Sequence, residues 1–179
     1  MNGQFQDREQ IDTAIANSKK VIEEARRRNI EVIHVRMVLE PAYRVLGEGK
    51  YGLRKMVRDY GSFLGEQTEF FPGFEPLDGE YTISERTGGS SAFAATTLDS
   101  YLRNNRIFDI YVMGFALRQC VESTVRNAHD LGYHQRHLRC VGGLHQGAAD
   151  LVPERHRTLL RKCYHDAAIP DASVSRCDA

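Results

Sequence analysis

The stretch GFALRQCVESTVRNAHDLGY, residues 114–133, holds the residue best suited to chemistry in this chain. Cys120 falls where an apolar, strand-like run, FDIYVMG, gives way to a helical pattern. A thiol attacks as its thiolate, which is the minor form of an ordinary cysteine at neutral pH. The N-terminus of a helix carries partial positive charge and N–H groups without helical partners, and both stabilise a thiolate. The same N–H groups can hold an oxyanion forming on an attacked carbonyl. On position alone the opposing reading is the stronger. Free cysteine is among the most buried residue types, so a small packed side chain also fits the position.

Other residues offer weaker chemistry. Arg36 ends the strand-like run IEVIHVRM. There it would recognise an anion or carboxylate, or form a structural salt bridge. His34, in the same run, reads as a hydrogen-bonded core histidine. His134 and His137 read as part of a polar loop running into a strand, and His129 as exposed on its helix. Two neighbouring histidines alone make a weak metal site. Phe70, Phe71 and Phe74 either wall a pocket or pin a long loop, and Tyr43 and Tyr51 share that ambiguity. The remaining cysteines, Cys140, Cys163 and Cys177, are widely spaced and form no CxxC pair. Zinc and disulfide frameworks are therefore not expected, and free thiols are.

The elements that must position Cys120 follow from periodicity. Residues 10–28 read as a helix, with Ile11, Ile15, Ser18, Ile22 and Ala25 on one face and Asn29 as its stop. IEVIHVRM and FDIYVMG are short and nearly continuously apolar, as in strands buried on both faces. Residues 39–79 read as irregular, in the manner of a binding loop. YTIS is a brief strand, and TGGSSAF turns into a helix with Leu98, Tyr101 and Leu102 facing inward. After Cys120 comes a helix with Val121, Val125 and Ala128 on one face, a Glu122–Arg126 pair, and Gly132 as its stop. HLRCV reads as a weaker strand and VPERHRTLLRKCY as a last helix. The alternation predicts an α/β protein with a parallel sheet between helices, whose ligand edge lies past the carboxyl ends of the strands.

The 179 residues suit one domain, residues 1–179, with 169–179 as a C-terminal extension. Lys plus Arg number 24 and Asp plus Glu number 24, so no charge excess argues for nucleic acid. No apolar run approaches a membrane span, and MNGQFQDREQ lacks the apolar core of a secretory signal. The expectations are a cytoplasmic protein with a small-molecule substrate, no nucleic-acid or membrane partner, and self-association into a homo-oligomer.

The motifs around Cys120 resemble those of the isochorismatase-like cysteine hydrolases, which include isochorismatases, nicotinamidases and N-carbamoylsarcosine amidases. The carrying residues are Gly114, the run Cys120-Val121-Glu122-Ser123-Thr124, Arg126, Ala128 and Leu131-Gly132-Tyr133. VIHVRM, FPGFEPLDGEYTIS and SSAFAATTLDSYLRNNRI also resemble family segments. The resemblance implies a three-layer sandwich, a parallel sheet with helices on both faces. It implies a Cys120 nucleophile working with an aspartate and a lysine, on a small amide or related C–N substrate. Backbone N–H groups of Ala116 and Cys120 would form the oxyanion hole at the Phe115–Ala116 peptide, which makes Phe115 a candidate substrate contact beside Arg36, whose candidacy rests on its strand-end position. No cofactor is implied. The nicotinamidase branch binds a metal through an Asp-x-His, and no DxH occurs here.

The chain departs from that pattern in three places. The family aspartate would fall just before Met1, so the first strand is expected to be lacking, which would leave two unpaired inner edges. The lysine position falls at Arg86 or Thr87, in ISERTGGSSAF. Arg86 keeps positive charge but cannot exchange a proton near neutrality, whereas Glu85 could act as a base. Gly142-Gly143-Leu144 stands where relatives carry an acidic residue and Asp-Ala. Arg86 or Glu85 must then cover part of the triad. The rival readings are a degenerate member serving as a ligand-binding or oligomeric protein, and a vinyl-ether hydrolase acting on isochorismate.

Overall fold

The computed structural model describes residues 8–86, 88–115 and 117–137. Helix α1 (Arg8–Arg27) leads into strand β1 (Ile33–Val38). The long connection that follows carries helix α2 (Gly52–Asp59), and strand β2 (Tyr81–Glu85) comes next. Helix α3 (Leu98–Asn104), strand β3 (Asp109–Val112), helix α4 (Glu122–Asp130) and strand β4 (His134–His137) complete the described chain. None of these helices is long and apolar enough to cross a membrane.

The helices form as their periodicities require. On α1 the buried stripe is Ile11, Ala14, Ser18 and Ile22, spaced three and four residues apart. Ala14 thus takes the inward position expected of Ile15, which is only half-buried. Asn29 ends the helix in the left-handed region at φ 54°, and the Ile30 N–H closes back on the Ala25 carbonyl at 2.9 Å. Gly132 does the same for α4 at φ 85°, with the Tyr133 N–H on the Ala128 carbonyl at 2.9 Å.

All strand pairing among the described residues is parallel. β1 runs beside β2, with Ile33 opposite Tyr81 and an irregularity between Val35 and Val38. β3 runs beside β4, with Asp109 opposite His134 and Val112 opposite His137. The hydrogen bonds therefore define two parallel ladders of two strands each among the described residues. One apolar cluster joins them. Ile83, Ala92, Phe93, Leu98, Leu102, Ala128 and Tyr133 are its buried centre, and Ile33 from β1 and Ile110 from β3 pack against it.

Three expectations are corrected. β1 and β3 are not buried on both faces: Val35, Val38 and Tyr111 are exposed. Each strand pairs along one edge only among the described residues, so its apolar run is not fully enclosed. Residues 39–79 are not simply irregular, because α2 and the 3₁₀ turns Arg44–Leu46 and Gly65–Thr68 lie there. They have their own cluster of Leu39, Tyr43, Leu46 and Val57. The helix left little apolar signature because Leu53 and Met56 face solvent and only Val57 is buried. Residues 134–137 form a strand rather than a loop. Backbone pairing with β3 overrides their polar side chains. HLRCV lies mostly outside the described residues. So do the expected last helix, the tail, the departure at Gly142–Leu144 and the other three cysteines.

Candidate active site

β3 delivers the chain to Gly114 and then to Cys120. The residues Leu117–Val121 form a single π-helical turn before α4 begins. Such turns are rare and recur at functional sites. Cys120 is a free cysteine, neither sealed nor fully exposed. It stands in the first turn of a helical run, where amide groups have no partner within the helix.

Arg86, immediately after β2, is the charged neighbour of this thiol. Its side chain is buried, with 8% of the residue exposed. Burial pushes its pKa down, and the adjacent Cys120, through charge and hydrogen bonding, opposes that push. The Arg86 Nη2 group donates to the carbonyls of Gly89, Ser90 and Ser91 at 2.6, 2.9 and 3.0 Å. Its Nε is buried with no acceptor among the described residues. The guanidinium is therefore gripped at one nitrogen by a loop, near enough to Cys120 to feel its charge. Gly89 permits the grip, because a Cβ there would lie 2.5 Å from the Ala94 Cβ.

The loop that holds Arg86 is fastened to α4. The Thr124 hydroxyl donates to the Cys120 carbonyl at 2.6 Å and accepts from the Ala92 N–H at 2.9 Å. The Ser91 hydroxyl donates to Asn127 Oδ1 at 3.0 Å and accepts from the Phe93 N–H at 3.1 Å. The reading of the residues did not single out these polar groups for a role. The available signal was the four-residue spacing from Cys120 to Thr124, which puts a hydroxyl over the nucleophile's carbonyl.

The other candidates are placed as follows. Glu85 closes β2 opposite Val38, and its side chain lies outside what is described. Ala116 also lies outside the described residues, while Phe115 is exposed just after Gly114. Arg36 sits within β1, donating from Nε to Ser84 Oγ at 2.9 Å and from Nη1 to the Thr68 carbonyl at 3.1 Å. Its guanidinium carbon lies 4.9 Å from the centre of the Phe70 ring.

His34 is buried, as its sequence setting suggested. It meets Glu80 Oε2 at 2.7 Å, and Arg26 grips both oxygens of the same carboxylate at 2.8 Å each. Phe70 meets the His34 ring edge-on, while Phe71 and Phe74 lie below Lys19 of α1. These three rings pin the long connection. No group of three or more His, Cys, Asp or Glu suited to a metal occurs among the described residues.

The chain matches known proteins in sequence and in fold. A family model, the Isochorismatase domain, matches residues 1–166. The isochorismatase family protein YwoC of Bacillus subtilis is 31% identical over 132 residues, covering 71% of this chain and 65% of YwoC. This chain thus spans slightly less than two thirds of that relative. An isochorismatase family protein from Desulfovibrio vulgaris superposes with a TM-score of 0.70 at 20% identity, over 82% of this chain and 77% of that one. N-carbamoylsarcosine amidase from Thermoplasma acidophilum superposes with a TM-score of 0.64 at 22% identity, over 85% and 79%. The structural likenesses define the class as an isochorismatase-like α/β fold. The chain belongs to the isochorismatase family.

Proposed function

We propose that this protein is a cysteine hydrolase acting on a small amide, or a related substrate with a hydrolysable C–N bond. The observation that carries the reading is the buried cation of Arg86 against the half-buried thiol of Cys120. A fixed positive charge beside sulfur favours the thiolate, and so does the start of a helical run. The thiolate attacks the carbonyl carbon, and backbone N–H groups of the turn take the oxyanion. Collapse breaks the C–N bond and leaves an acyl-enzyme, which water then hydrolyses. The proton lost by the thiol must reach the departing nitrogen. Arg86 cannot carry it near neutral pH, so the transfer is assigned to Glu85 at the end of β2. Family membership and the fold shared with an amidase support the substrate class.

The three carbonyls on Arg86 Nη2 favour a second reading. An arginine committed to its own loop suits a non-catalytic, ligand-binding member of the family. Turnover separates the two. Small amides should release ammonia or amine with the wild type and not with Cys120→Ser, and mass spectrometry should trap an acyl adduct on Cys120. Binding of the same compounds without turnover or adduct would establish the second reading.

A further inference from the structure

The loop holding Arg86 and the turn holding Cys120 belong to different parts of the chain, separated by α3 and β3. Only a link between them can fix how far the guanidinium stands from the sulfur. From the hydrogen bonds of Thr124 to the Cys120 carbonyl and the Ala92 N–H, we infer that Thr124 is the positioning residue that sets the Cys120–Arg86 pair. The inference rests on Cys120 being the nucleophile.

The geometry is two-sided. Thr124 is buried, and its hydroxyl donates to the nucleophile's own carbonyl and accepts from the loop. A threonine hydroxyl that merely bonds back four residues along its helix would serve the helix alone. Here the same oxygen also receives the Ala92 N–H, one residue beyond the last carbonyl that grips Arg86. Asn127, one turn further along α4, fastens Ser91 of that loop through its hydroxyl. Arg86, the loop, Thr124 and the Cys120 turn therefore form a closed circuit. Opening it at Thr124 lets the loop and its arginine drift from the sulfur while both remain present.

The test is iodoacetamide labelling of Cys120 across pH 5 to 9, read by mass spectrometry on the intact chain. Thr124→Val keeps the shape and removes the hydroxyl, and Thr124→Ser restores it. The expected result for Thr124→Val is labelling of Cys120 about tenfold slower at pH 6, because the guanidinium no longer stands beside the attacking sulfur. Thr124→Ser should return the wild-type profile. Thr124→Val with a lower unfolding temperature but an unmoved profile would reduce Thr124 to a structural residue and overturn the inference. If Thr124→Val does not fold, Ser91→Ala opens the circuit at its second fastening. An unmoved profile in that variant overturns the inference equally. Failure of the nucleophile reading looks different: wild-type Cys120 itself would label no faster than N-acetylcysteine at pH 6.

Discussion

At the residue scale, the interplay of Arg86 with its surroundings decides two properties at once. Its Nη2 satisfies the carbonyls of Gly89, Ser90 and Ser91. Leaving a buried acceptor without a donor costs about 1–3 kcal/mol. Arg86→Leu should therefore destabilise the fold by about 3 kcal/mol, seen as a lower urea midpoint, besides slowing Cys120 labelling. A second residue-scale prediction concerns acid. The hydrogen bonds from Arg26 hold the Glu80 carboxyl down at about 2, against the opposing effect of burial, and the Leu77 N–H and His34 add to the lowering. A carboxyl whose folded pKa is depressed contributes stability above its unfolded value and loses it as pH falls toward the folded one. The wild type should thus lose stability between about pH 4.5 and 2. Glu80→Gln should be less stable at pH 7 and flatter over that acid range, as followed by thermal melts. Glu24, held at about 2 by Arg27 and Arg28, adds to the same limb from the surface and remains in the variant. An unchanged acid limb in Glu80→Gln would assign the whole effect to such surface pairs.

At the element scale, the site depends on α3 and α4 holding the two ladders to one cluster. Leu102 of α3 is 2% exposed and Ala128 of α4 is 0% exposed. Leu102→Ala should cost about 2–5 kcal/mol from lost burial and the cavity left behind. Equilibrium denaturation measures it, and a cost below 1 kcal/mol would contradict this description of the core. Most elements were legible because their cause is local. The α1 stripe, the Asn29 and Gly132 stops and the Glu122–Arg126 pair all follow from spacing and turn chemistry. The residues missed had non-local causes. α2 presents Tyr51, Leu53, Met56 and Tyr60 at or near its ends and faces to solvent, so no apolar period marked it. β4 is polar in sequence and exists through its pairing with β3. Within the candidate site, the placement of Cys120 in a helical turn after β3 and of Arg86 just after β2 was legible from pattern. The fastening by Thr124, Ser91 and Asn127 was not, because hydrogen bonds across 32 and 36 residues leave no periodic trace.

At the scale of the whole molecule, the account joins a family fold to a proposed nucleophile, Cys120. The fold and the family are established by the match over residues 1–166 and by the superposed structures. The chemistry rests on one juxtaposition, a buried guanidinium beside a half-buried thiol at the start of a helical run. Its most direct measure is the rate of Cys120 carboxamidomethylation at pH 6, compared with N-acetylcysteine in the same solution. A nucleophilic Cys120 should react about tenfold faster or more, per thiol, than the free model at that pH. A Cys120 that reacts at the model's rate, or more slowly, would contradict the account and leave the cysteine as packing.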